Sequence, residues 1–308
     1  MNKLNFFQKR DFGENVNFTF QFVKENFIHY FVNILILNIP IWILIGLGVY
    51  VMADNLTTVL NSLGSGGVFS VLGTLVMFFI FGVLFTTYSA SVGYNYYLLY
   101  MQKGHKGFSL QELLAKAIGS MMKLLVANIV LFGISLGVFI IASFLFSLLG
   151  KFGVILMLPL SIVGIYYAIQ LIFFQIIVIR DNKSAMEAIQ KSFFLVKDNW
   201  WQTFGILIVF GVIGLIISWI VQSIMGIFAT EVITPQDLLG GNFNMTIGTI
   251  IIYIITNIIT STLSGMFSTT AVFAQYGSLV EEKEGVHLKQ NIDKFGTTPD
   301  NEKEEEDF

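Results

Sequence analysis

Sixteen of the seventeen lysines and arginines in this 308-residue chain fall in four polar segments, and those segments alternate with long apolar runs. The first holds Lys3, Lys9, Arg10 and Lys24, and the second Lys103, Lys106, Lys116 and Lys123. The third holds Arg180, Lys183, Lys191 and Lys197, and the fourth Lys283, Lys289, Lys294 and Lys303. Only Lys151 falls in an intervening connection. Cytoplasmic loops of multi-pass membrane proteins carry this excess of basic residues, so the pattern predicts a chain with both termini in the cytoplasm.

The runs between the basic segments supply six stretches of membrane-spanning length, about 30–52, 69–98, 124–149, 152–179, 203–228 and 247–280. A hydrocarbon core of about 30 Å needs roughly 20 apolar helical residues. The strands of a β-barrel would alternate apolar and polar residues. These runs are continuously apolar, and 55 % of the chain is hydrophobic against 12 % charged. The predicted fold class is therefore all-α, a polytopic helical membrane protein with six transmembrane helices arranged as three hairpins.

A repeated construction precedes the first, third and fifth runs: Asp11 with Glu14, Ser109 with Glu112, and Ser184 with Glu187. Each pair is spaced as a capping box, in which the first side chain accepts from an orphan N–H and the acid three residues on returns a bond. The first and third copies also share Val23-Lys24-Glu25-Asn26 and Val196-Lys197-Asp198-Asn199. This predicts three hairpin units, 1–100, 101–182 and 183–280, each opened by an amphipathic helix on the cytoplasmic side, and a tail, 281–308. In the first unit Phe12, Val16, Phe20, Val23 and Phe27 recur at helical spacing opposite polar residues, as in a helix lying in the interface plane. Phe27, Trp200 and Trp201, with Tyr94, Tyr96, Tyr97 and Tyr100, are predicted at the aromatic belt of the cytoplasmic boundary.

The outer connections, 54–67, 150–153 and 229–246, are too short to hold a domain. Residues 300–307 contribute six acids against one lysine, which predicts a disordered acidic tail on a body of net charge +2.

Several chemistries lack their residues. The six runs contain no Asp, Glu, Lys, Arg or His, which argues against proton relays, ion coupling and intramembrane proteolysis. There is no cysteine, hence no disulfide or thiol nucleophile. His29, His105 and His287 are isolated, and Gly64 to Gly67 lacks the Lys of a phosphate loop. No catalytic residue, metal ligand, cofactor or nucleic-acid partner is expected.

The sixth run does carry polar groups. Thr256, Thr260, Ser264 and Ser268 recur every four residues, Asn257, Ser261, Gly265 and Thr269 form the adjacent row, and Gln275 lies beyond. Such a face either lines a polar path or headgroup groove, or allows close helix packing. Pro40 and Pro159 are expected to kink the first and fourth spans, and Gln170, Gln175 and Gln222 need polar partners.

Three segments carry a family resemblance: Arg10-Asp11-Phe12-Gly13-Glu14, the stretch Phe22-Val23-Lys24-Glu25-Asn26-Phe27, and the stretch from Tyr276 to Gly285. Through them the chain resembles bacterial, Bacteroidetes-type, six-span integral membrane proteins related to the glycerophosphoryl diester phosphodiesterase membrane domain. The resemblance implies a multi-pass protein of the bacterial cytoplasmic membrane and brings no catalytic residues, because the soluble phosphodiesterase domain is absent. Uncharged spans, capped helices and an acidic tail make a non-catalytic scaffold or assembly subunit of an envelope complex the first expectation, with membrane lipids and another membrane or envelope protein as partners. A transporter or lipid-handling protein using the polar face of the sixth run is the alternative.

Overall fold

The computed structural model describes residues 4–63, 68–104, 107–149, 153–229 and 247–286. Eight α-helices carry the described chain: α1 (Phe12–Leu63), α2 (Val68–Lys103), α3 (Leu110–Leu149), α4 (Gly153–Gln170), α5 (Phe174–Arg180), α6 (Ala185–Val196), α7 (Trp200–Ala229) and α8 (Ile247–Glu284). No strand occurs among the described residues. Five stretches are long and apolar enough to cross a membrane: Phe12–Gly48, Leu110–Leu148, Pro159–Arg180, Ala185–Ile227 and Ile251–Glu284. Large apolar side chains such as Val138, Phe139 and Ile141 on α3, and Leu215 and Trp219 on α7, stand exposed on the outer surface. A water-soluble surface does not sustain so much contiguous apolar area, whereas lipid accepts it.

Each capping pair lies at a helix start. The Asp11 amide donates to the Glu14 carboxylate at 2.9 Å, and the Glu14 amide donates back to Asp11 Oδ1 at 2.8 Å. At α6, both the amide and the hydroxyl of Ser184 donate to the Glu187 carboxylate, at 2.9 and 2.8 Å. At α3 the Glu112 amide donates to the Ser109 hydroxyl at 3.2 Å, while the Glu112 side chain turns to Lys103 at 2.6 Å.

The elements differ from the sequence expectation in four places. The amphipathic segments of the first two units are not separate helices, because α1 and α3 run without a break into the apolar stretches that follow. Only in the third unit does a short 3-10 turn, Lys197–Asn199, separate the amphipathic helix α6 from α7. That turn is held from outside: Asp198 pairs with Lys283 of α8 at 2.9 Å, and the Trp200 indole donates to the Tyr166 carbonyl of α4 at 3.2 Å.

Secondly, the fourth run is broken. The chain leaves α4 at Gln170, turns through 171–173, and restarts as α5. The break is buried, with Phe173 and Phe174 almost wholly enclosed, and the Gln170 carbonyl accepts from the Ser192 hydroxyl of α6 at 2.6 Å. Irregular backbone at membrane depth is stable only where protein satisfies it in this way. The two prolines expected to kink helices, Pro40 and Pro159, lie inside α1 and α4.

Thirdly, Tyr94, Tyr96, Tyr97 and Tyr100 do not ring the boundary but fill the core, each less than a tenth exposed, while Trp201 is 77 % exposed. Two of the tyrosines meet a segment preceding α1: Phe6 is fully buried and meets Phe18, Phe22, Phe273, Tyr97 and Tyr100 with ring centroids 4.9 to 6.2 Å apart, while Tyr96 packs on Tyr30 and Phe108. Edge-to-face pairs of this kind add to the packing term itself.

Fourthly, the predicted tail begins inside α8, where Glu282 pairs with Lys9 at 3.0 Å and Glu284 with Lys191 at 2.7 Å. The remainder of the tail, with the expected connections over 64–67, 150–152 and 230–246, lies outside the described residues, as do His105 and His287. The other residues of the first predicted outer connection, 54–63, are helical.

Arg10 fastens the N-terminal segment. Its guanidinium donates to the carbonyls of Phe6 and Gln8 at 3.1 and 3.3 Å and to that of Asn5, and it lies 3.9 Å over the Phe18 ring. Burial lowers its pKa to about 10, against the pull of the Glu14 carboxylate, so it stays charged at neutral pH.

Candidate functional site

The two polar rows of α8 face different neighbours. Thr256, Ser264 and Ser268 donate back to the carbonyls of Ile252, Thr260 and Ser264 at 2.7, 2.6 and 3.0 Å. Ser264 packs on α7 at Gly214, where a β-carbon would lie 3.5 Å from the Ser264 Cβ. This row therefore serves close approach of α7 and α8, the usual role of small residues in membrane bundles. The Thr260 hydroxyl is buried without a partner.

Gln275 has a different place from the rest of its predicted face. Its amide donates to Thr203 Oγ1 of α7 at 3.1 Å, and its carbonyl accepts from the Asn15 amide of α1 at 2.7 Å. All three residues are 1 % exposed. The cluster ties three helices together, and a buried polar network of this kind is costly to disrupt.

The adjacent row of α8 lines a cavity. Ser261, Thr262, Gly265 and Thr269 face Tyr30, Asn38 and Trp42 of α1, Ser89, Gly93 and Tyr94 of α2, and Gln175 of α5 around a space of about 240 Å³. On the same measure one water needs only roughly 10–15 Å³, so the space holds a small solute or a lipid headgroup fragment. At Gly93 a β-carbon would make ordinary contact with Thr269 Cγ2 at 3.8 Å, and at Gly265 it would meet nothing within 4 Å, so the wall is open there.

No charged residue lines the cavity. Its polar groups are hydroxyls, amides and the indole of Trp42, which is 8 % exposed and packs edge-on against Phe85 at 5.0 Å. Trp42 Nε1 is buried and has no acceptor. A buried donor left without a partner costs about 1–3 kcal/mol. The Ser89 hydroxyl makes only a long contact to Asn38 Oδ1, at 3.5 Å.

No Asp, Glu, His, Lys or Arg stands among its walls. Among the described residues no three His, Asp or Glu side chains converge as metal ligands, and His29 is bonded through Nδ1 to the Tyr96 hydroxyl at 2.8 Å.

Sequence reasoning singled out α8 and noted both of its rows. Asn38, Trp42 and Ser89 were not anticipated as lining, because an isolated Asn or Trp in an apolar run carries no periodic signal. Gln175 was flagged as needing a partner, and the break at 171–173 is what turns it to the cavity.

Long, continuously apolar helices define an all-helical membrane protein. The chain belongs to the family described as Domain of unknown function (DUF7847), which matches residues 41–279. No curated protein and no solved structure matches it.

Proposed function

We propose that the protein is a non-catalytic, lipid-handling or transport protein of the bacterial cytoplasmic membrane that binds an uncharged polar group in the cavity among α1, α2, α5 and α8. The observation that carries this reading is a cavity of about 240 Å³ whose walls carry hydroxyls and amides and no charge. A protein-lined pocket with a few converging polar groups on a largely apolar wall is the form a small-molecule site takes. The absence of charge from the lining favours a hydroxyl- or carbonyl-bearing molecule over an ion.

In this reading the chain crosses the membrane six times as three hairpins, with α2 supplying the sixth crossing. The basic ends of the helices face the cytoplasm, as the four lysine- and arginine-rich segments imply. The acidic tail, which motivates the scaffold expectation, lies outside the described residues, so the cavity is the better-supported basis for a function.

The test is occupancy. Gly265→Leu extends a side chain into open space in the cavity wall without meeting a neighbour at its β-carbon. Mass spectrometry of the intact protein released from its own membranes should find a bound small molecule or lipid in the parent chain and not in the variant. Equal occupancy in two equally folded proteins would sink the proposal.

A further inference from the structure

A second space, about 570 Å³, opens between α2, α3 and the end of α5. It shares no lining residue with the polar cavity and differs from it in charge. Lys116, Ser120 and Lys123 recur at spacings of four and three along one face of α3, Gln102 faces them from α2, and Arg180 and Asn182 close the end. Asn182 reaches this position through a left-handed backbone, φ 55°.

No acidic residue lines the crevice. Lys116 donates to Gln102 Oε1 at 2.7 Å and Lys123 to Asn182 Oδ1, so both ammonium groups rest on neutral amides. Glu112, one turn before Lys116 on α3, is engaged by Lys103 at 2.6 Å. Arg180 turns its guanidinium to Asp181 at 3.0 Å, to the Tyr276 hydroxyl at 2.9 Å and over the Phe7 ring at 4.1 Å. Two lysines with unspent donors on one face of α3 form a receptor for a multiply accepting anion, above all a phosphate.

The depth of the crevice selects the source of that phosphate. Lys123 directly precedes the apolar stretch of α3, and its neighbours Met122 and Val126 are 66 % and 58 % exposed on the outer surface. The crevice thus opens beside side chains that meet acyl chains, at the level where headgroups lie, rather than toward bulk water. We propose that Lys116 and Lys123 bind the phosphate of an anionic lipid headgroup.

The test titrates the full chain in detergent with phosphatidylglycerol and counts bound lipids by native mass spectrometry. Phosphatidylcholine serves as the zwitterionic comparison, and inorganic phosphate as competitor. Each basic residue near the membrane surface is worth about a factor of five in such binding, so K116Q/K123Q should weaken the first phosphatidylglycerol site roughly thirtyfold. K9Q, a charge loss at a residue paired with Glu282 of α8 away from the crevice lining, should leave that site unchanged. Gly119→Trp offers a second variant, since a β-carbon at 119 meets open space and the side chain obstructs the crevice without removing charge. It should abolish the same site. Parent-like phosphatidylglycerol binding in folded K116Q/K123Q overturns the proposal. Saturable binding of inorganic phosphate with no retained lipid overturns the lipid assignment. Gly265→Leu should leave the phosphatidylglycerol site intact, so this inference and the cavity reading fail separately.

Discussion

The backbone of Phe6 lies against Gly277 of α8 so closely that a β-carbon at position 277 would overlap the Phe6 carbonyl oxygen. Next to it, the Arg10 amide donates to the Ser278 hydroxyl at 2.9 Å, and that hydroxyl returns a bond to the Arg10 carbonyl at 3.2 Å. The segment before α1 is thereby docked between α1 and α8, with the Phe6 ring as its plug in the aromatic core.

Gly277→Ala should therefore expel this segment or strain it, at a cost of about 1–3 kcal/mol, the usual range for overpacking. Phe6→Ala should cost more, roughly 3–5 kcal/mol, because it empties a fully enclosed aromatic site. Thermal unfolding in detergent ranks the two. A G277A protein as stable as the parent would show that the contact with Phe6 is not made in solution.

Gln275 links Asn15 and Thr203, and all three are buried. Gln275→Leu should destabilise the protein by about 1–3 kcal/mol, since it strips the Asn15 amide of its acceptor. N15L/Q275L should recover part of that loss by removing both ends of the bond. A double-mutant cycle on unfolding temperature reads the coupling, and strict additivity would contradict a direct interaction.

Substitutions on the two rows of α8 should behave differently. Ser264→Leu drives a larger side chain toward Gly214 and should separate α7 from α8, lowering stability by about 1–3 kcal/mol. Gly265→Leu, one residue on, points into the cavity and should leave stability near that of the parent. Equal damage from both would mean that the cavity is closed in the membrane.

Trp42→Phe removes the unbonded Nε1 while keeping an aromatic side chain near Phe85. This change should be neutral or slightly stabilising, because no hydrogen bond is lost. Thermal unfolding in detergent reads the change, and a loss above about 1 kcal/mol would show that the indole N–H holds a partner.

Helix class and the starts of α1, α3 and α6 were legible in the sequence because they rest on local signals. Apolar length betrays the long helices, and Asp11, Ser109 and Ser184 sit one residue before α1, α3 and α6. The break between Gln170 and Phe174 was not legible, since 171–173 is Leu-Ile-Phe and contains neither glycine nor proline. Its stabilisation comes from the Ser192 hydroxyl of α6, a tertiary partner. The tyrosines misled for a related reason: their amphipathic rings suit an interface, and partners distant in the chain, Phe6 and Phe273 among them, make the site a core. At the cavity, the α8 rows were visible as a periodicity, but which row faced α7 depended on Gly214, more than forty residues away in the chain.

The most direct measurement compares the molecules retained by the parent chain and by Gly265→Leu after gentle extraction from native membranes, using mass spectrometry of the intact protein. The account expects one stoichiometric small molecule or lipid in the parent, absent from a variant of equal stability. A parent chain that emerges with an empty cavity and a stoichiometric protein partner, or a variant that retains the same molecule, would contradict it.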